Sequence, residues 1–174
     1  MTSVCMAQND NILPFREIPE QAESYTAGSV ASRMIDGLGF RYYWATEGLR
    51  AEDLEYKPSE SGRSSEETVD HILGLSQFIL NSLGGEVESQ KDIKNLGFNA
   101  MRKQTLLNFQ VASEILRNTK DLIKFDNERF PFWNIINGPI SDAIWHCGQI
   151  ILLRRASGNP YNSKASVFSG KLRE

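Results

Sequence analysis

Only two histidines occur in this chain, and the residues around them are the ones whose types and spacing could do chemistry. His146 follows Asp142 by four positions, a separation that on a helix puts both side chains on one face with Cβ atoms about 6 Å apart. Gln149 and Leu153 continue that face, while Ile140, Ile144, Cys147 and Ile151 form a second, apolar stripe. A carboxylate on a helix that is apolar on two sides must find a cation, a donor or a metal, because burying it unpaired costs several kcal/mol. His71 falls in another apolar-periodic segment, on a side shared with Leu75, Phe78 and Ser82, with Glu67 one turn before it. Two imidazoles and one carboxylate converging from two helices make a three-ligand site for a divalent ion, with positions left for water or substrate. The same residues admit a plainer reading: a helix-surface Asp–His pair, and an interior histidine that is only hydrogen-bonded.

These residues must be positioned by helices. Val30, Met34, Leu38, Tyr42, Ala45 and Leu49 recur at three- and four-residue steps and predict a helix from Glu23 to about Arg50. Pro58 and Gly62 break the chain; Ser64, Ser65 and Glu67 then supply an N-cap and an acidic first turn for a second helix to about Leu83. Gly84 and Gly85 suit its end, and a polar loop continues through Asn95. A third helix is predicted over Phe98 to Lys124. The aromatic segment Phe130 to Trp133 reads as a packed connection, and Asn137-Gly138-Pro139 as a turn that starts a fourth helix, ending near Ser157. Four long helices without strand alternation predict an all-α fold, a four-helix bundle, whose ligand sites are built from side chains facing inward. Residues 1–22 read as an extended lead-in, 23–160 as the bundle domain and 161–174 as a loosely ordered tail.

Length and composition bound what the helices can do. The chain has 174 residues, 19 basic against 22 acidic side chains and a formal net charge of −3, which fits one acidic domain. No apolar run exceeds four residues, far short of the roughly 20 that cross a bilayer, so no membrane partner is expected. Cys5 and Cys147 are too few for a disulfide framework, and without a basic tract no nucleic-acid partner is expected. With no signal segment, a cytoplasmic protein is expected. Cys147 reads as a small buried hydrophobe, Trp44, Trp133 and Trp145 as core, and Arg154 and Arg155 as partners of their own helix's negative end. Gly148 reads as a place where another helix approaches.

Three segments carry a resemblance to a known family. His71 within Ser65-Glu66-Glu67-Thr68-Val69-Asp70-His71-Ile72 resembles the helix-two histidine of the DinB/YfiT-like superfamily. His146-Cys147-Gly148-Gln149-Ile150, together with Arg154 and Gly158 beyond it, resembles that superfamily's helix-four motif, and Lys57-Pro58 its proline before helix two. The resemblance spans roughly Val30 to Pro160 and implies a four-helix bundle that dimerises and binds one divalent transition metal (Zn, Ni, Fe or Mn). It carries His71, Asp142 and His146 over as ligands, with Asp142 standing where the family commonly has a third histidine. Aspartate is a harder, anionic ligand that lowers the site's charge by one. Glu67 competes for the carboxylate role; Glu67 and Gln149 are otherwise candidates to orient the ligands from behind.

The function implied is a metal-dependent hydrolase, or a transferase of a low-molecular-weight thiol, acting on a small-molecule substrate that the sequence does not name. The alternative is a non-enzymatic dimeric bundle in which both histidines are structural.

Overall fold

The computed structural model of the protein describes residues 13–86, 95 and 97–174. Cys5, the beginning of the expected lead-in and most of the loop expected before Asn95 lie outside them. The chain is mostly helical, and the first two of its four long helices begin at reciprocal side-chain caps.

Helix α1 spans Ala27–Thr46 rather than 23–50. Its start is set by a reciprocal cap: the Ser29 amide donates to Thr26 Oγ1 (3.1 Å) and the Thr26 amide to Ser29 Oγ (2.8 Å). It stops at Gly48, whose φ of +70° suits a residue without a Cβ. Its buried stripe runs through Ala31, Ile35, Leu38, Tyr42 and Ala45, so the predicted face is rotated at one end, where Val30 is half exposed. Gly28 permits a close crossing: a Cβ there would lie 1.8 Å from the Thr119 carbonyl oxygen.

A short helix α2 (Ala51–Glu55) leads to α3 (Ser65–Ser82), and α4 spans Phe98–Arg117. The third long helix ends seven residues earlier than periodicity suggests, because Asp121 caps a separate tight turn over Leu122–Phe125 by accepting from the Ile123 amide (3.0 Å).

The fourth helix differs more. Asp126 Oδ1 accepts from the Phe132 amide (2.7 Å), and a helical run begins there as α5 (Phe132–Ile135). Asn137-Gly138-Pro139 is not a turn that starts a helix; it lies within a widened helical turn, Ile136–Ile140, that passes directly into α6 (Ser141–Ala156). Pro139 has no N–H to give the carbonyl four residues back, and the backbone responds with i→i+5 spacing, the Ser141 amide donating to the Ile136 carbonyl.

Packing is cyclic: α1 lies against α4 and α6, and α3 lies against the same two. Ile35, Leu38, Phe40, Ile72, Leu106, Phe109, Ile140 and Ile150 are fully buried between them, with Tyr42 edge-on to Phe109. Cys147 and Trp44 are buried as expected, but Trp133 and Trp145 are 72% and 73% exposed and do not belong to the core. Gly148 also departs from expectation, since nothing lies within 4 Å of where its Cβ would be.

The C-terminal tail is not loose. Ala165–Ser166 pairs antiparallel with Lys171–Leu172, Ala165 is buried, and the Ile18 amide donates to the Gly170 carbonyl (2.7 Å). The sequence shows too few apolar residues to predict this because the hairpin is secured mainly through backbone groups.

Two buried ionic groups tie the helix ends together. Arg154 is 2% exposed and, instead of serving its own helix, donates to the carbonyls of Trp44 (3.3 Å), Ala45 (3.0 Å) and Glu47 (2.9 Å) at the end of α1, and to Asn159 O (2.7 Å). Asp53, fully buried, accepts two bonds from the Arg50 guanidinium (2.9 Å each), and others from Ser157 Oγ and Asn159 Nδ2 (2.6 Å each). Arg50, then Ser157, the Arg50 amide and Asn159 outweigh desolvation and hold the Asp53 carboxyl well below the usual carboxylate range.

This depression fixes the sign of the pH dependence. A lowered folded-state pKa contributes stability that is complete above the unfolded value, about 3.9, and is lost as pH falls through the folded one. Asp53→Asn is therefore expected to cost about 2 kcal/mol at pH 7 and to flatten the acid limb of stability below pH ~4. Urea midpoints at a series of pH values check this; parallel wild-type and variant curves would contradict it.

Candidate metal centre

Helix α3 carries His71 about two turns past its own N-cap, Ser64. The Ser64 hydroxyl accepts from the Glu67 amide (3.1 Å) and Glu67 Oε2 accepts from the Ser64 amide (2.7 Å), while Glu67 Oε1 pairs with Lys57 Nζ (2.9 Å). The Ser64 amide and then Lys57 hold the Glu67 carboxyl below its ordinary value. Both oxygens of Glu67 are engaged at the helix start, so it neither competes with Asp142 nor orients His71. This corrects its candidate role behind the ligands. The deciding residue is Lys57, which is held by Glu67 rather than acting only as the neighbour of Pro58.

His71 sits at the edge of the buried stripe of α3. The buried line runs through Val69, Ile72, Ser76 and Ile79; the side shared by Leu75, Phe78 and Ser82 is partly open, and Phe78 packs on Phe130. From there His71 faces α6, where Asp142 and His146 occupy successive turns. His71 Nε2 lies 3.3 Å from Asp142 Oδ2, and His146 Nε2 lies 3.3 Å from Asp142 Oδ1. The two rings meet edge to face with centroids 4.5 Å apart. One ligand atom from each of the three residues falls within 4.8 Å of the others, and no other such trio occurs among the described residues. The site is half-buried: side-chain exposure is 12% for His146, 36% for His71 and 42% for Asp142. Along this face of α6 Leu153 is buried and His146 nearly so, whereas Asp142 is half-exposed and Gln149 exposed, so the expected burial on more than one side is only partial.

Gln149 supplies the orientation that Glu67 does not. Its Oε1 lies 2.7 Å from His146 Nδ1. A carbonyl oxygen can only accept, so this contact calls for the proton on Nδ1, the arrangement that turns Nε2 toward the centre as the ring's lone-pair nitrogen. This tautomer is the one a metal ligand needs.

A charge-assisted N–H···O bond is usually about 2.7–2.9 Å, shorter than either histidine–aspartate contact, and the two contacts use different oxygens of Asp142. The donor set, two borderline imidazoles and one hard carboxylate, suits a divalent transition ion.

A groove of about 510 Å³ opens beside His146 and Gln149, walled by Tyr56, Pro58, Thr68 and Leu152, with Arg63 at its edge. Arg63 and Tyr56 lie in irregular segments where no periodicity announces a binding role. Cys147, next in sequence to His146, points into the core, and burial pushes its thiol up to about 12, which makes it neither ligand nor nucleophile. Among the described residues no helix is long and apolar enough to cross a membrane. No known protein family, curated protein or solved structure matches the chain.

Proposed function

We propose that this chain is a DinB/YfiT-like four-helix bundle that holds one divalent transition metal, Zn, Ni, Fe or Mn, on His71, Asp142 and His146. The proposed activity is hydrolysis, or transfer of a low-molecular-weight thiol. The observation that carries the reading is the convergence of His71 from one helix with Asp142 and His146 from another, one ligand atom of each lying within 4.8 Å of the others. A bound ion of this kind lowers the pKa of water or of a thiol to near neutrality. Around it, Gln149 keeps His146 in the ligating tautomer, and the groove beside His146 receives the substrate, with Arg63 placed to meet an anionic group.

In this reading the chain also pairs with a copy of itself through α6. Trp145 and Leu152 are 73% and 65% exposed on one face with Gly148 between them, an uncharged stripe with room at its centre for a second helix. The second reading, a dimeric bundle in which the histidines are structural, shares that face and rests on the His71–Asp142 contact, which at 3.3 Å is also within hydrogen-bond reach.

Metal content separates the two. Elemental analysis of untagged protein, purified without added metal or chelator, is expected to find close to one transition ion per chain. Protein that takes up no ion under any loading condition would transfer the case to the structural reading.

A further inference from the structure

A second pocket, on the far side of α6 from the histidines, lies between α1, α6 and the C-terminal hairpin and has a volume of about 350 Å³. Its walls are apolar, Phe40 and Trp44 from α1 and Ile144 and Ile151 from α6, and its floor is the protonated thiol of Cys147. Two guanidiniums line it, Arg41 and Arg155, and no acidic side chain does. Among the described residues neither arginine has a carboxylate within ion-pair distance, although acidic residues outnumber basic ones in this chain.

Both guanidiniums are held in place without being neutralised. Arg41 Nη1 donates to the Gly37 carbonyl of its own helix (2.9 Å), and Arg155 stands over the Tyr161 ring, 5.4 Å from its centroid. Each keeps further N–H groups to offer an anion; Arg41 is half-buried and Arg155 exposed beside the apolar walls. The volume is at the lower end of the range for small-molecule sites, about 300–1,000 Å³. A neighbouring groove shares Arg41 and Val167 with it, which leaves room for a longer tail.

We propose that this pocket binds a small monocarboxylate with an alkyl or aryl body, its carboxylate between Arg41 and Arg155 and its body against Phe40, Trp44, Ile144 and Ile151. An apolar body satisfies the walls, and one negative charge satisfies two arginines that have no ion-pair partner among the described residues. This site uses none of the histidine trio, so its fate is independent of the metal reading.

The test uses the full chain, with 8-anilinonaphthalene-1-sulfonate as reporter and octanoate and octan-1-ol as competitors of matched length. Octanoate is expected to displace the dye at concentrations about tenfold lower than octanol. The double variant Arg41→Gln, Arg155→Gln should erase that preference while leaving octanol unchanged. Gly148→Trp, which grows a ring into open space at the pocket lip, should prevent displacement by either. Equal competition by octanol, a preference that survives loss of both arginines, or displacement unaffected by Gly148→Trp would each overturn the assignment. If the double variant fails to fold, the wild-type ratio and the Gly148 variant decide between them.

Discussion

Replacing Asp142 with Asn is expected to lower affinity for a divalent ion by more than about 100-fold, beyond the roughly 10–100-fold that loss of a supporting residue costs. The substitution keeps the side chain's shape and its place one turn before His146, but removes the negative charge that faces both imidazoles. Gln149→Ala should fall within the lesser range, since it frees the His146 ring without removing a ligand. Glu67→Gln should leave affinity unchanged, because both Glu67 oxygens serve the start of α3 and Lys57, although it weakens that helix cap. Competition against a chelating indicator measures all three. Full occupancy in Asp142→Asn together with loss in Glu67→Gln would move the carboxylate ligand to α3.

The largest stability loss is expected from Arg154→Met, about 3–5 kcal/mol. The methionine fills most of the volume but leaves the α1 carbonyls of Trp44, Ala45 and Glu47 without the donor that now closes the helix. Lysine in the same place should recover only part of the loss, because one compact ammonium cannot reproduce a planar fork that reaches several carbonyls and Asn159 at once. Denaturant midpoints, with the slope unchanged, give the difference. A loss under about 1 kcal/mol would mean that water replaces the guanidinium at the end of α1.

Local signals are legible in the sequence where one helix contains both partners. Asp142 and His146 share a face because of a four-residue spacing, and the Ser64–Glu67 cap is readable for the same reason. That His71 meets them depends on how α3 packs on α6, which no periodicity contains; the family resemblance, rather than the wheel, suggests that meeting. The role of Glu67 stays open in the sequence because one residue satisfies two local patterns, and only the position of Lys57 decides between them. Arg154 misleads for a related reason. Its charge suits the end of its own helix, yet three of its four carbonyl partners lie more than a hundred residues away in the chain. Trp133 and Trp145 look like core by size alone; exposure is a property of the neighbours, and here the neighbours stop short of them.

Deleting a single residue between Ile136 and Ile140 would restore regular spacing and rotate α5 by about 100° relative to α6. On the far side of the turn, Ile140, Ala143, Cys147 and Ile150 fix the phase of α6; ahead of it, Phe132 and Ile135 fix that of α5. A shortened chain could satisfy only one of these sets. Asp142 and His146 both follow the turn on α6, so a compromise that shares the rotation swings the pair together away from His71 on α3. The aim of that pair thus depends on the count of residues across the turn as much as on their identity.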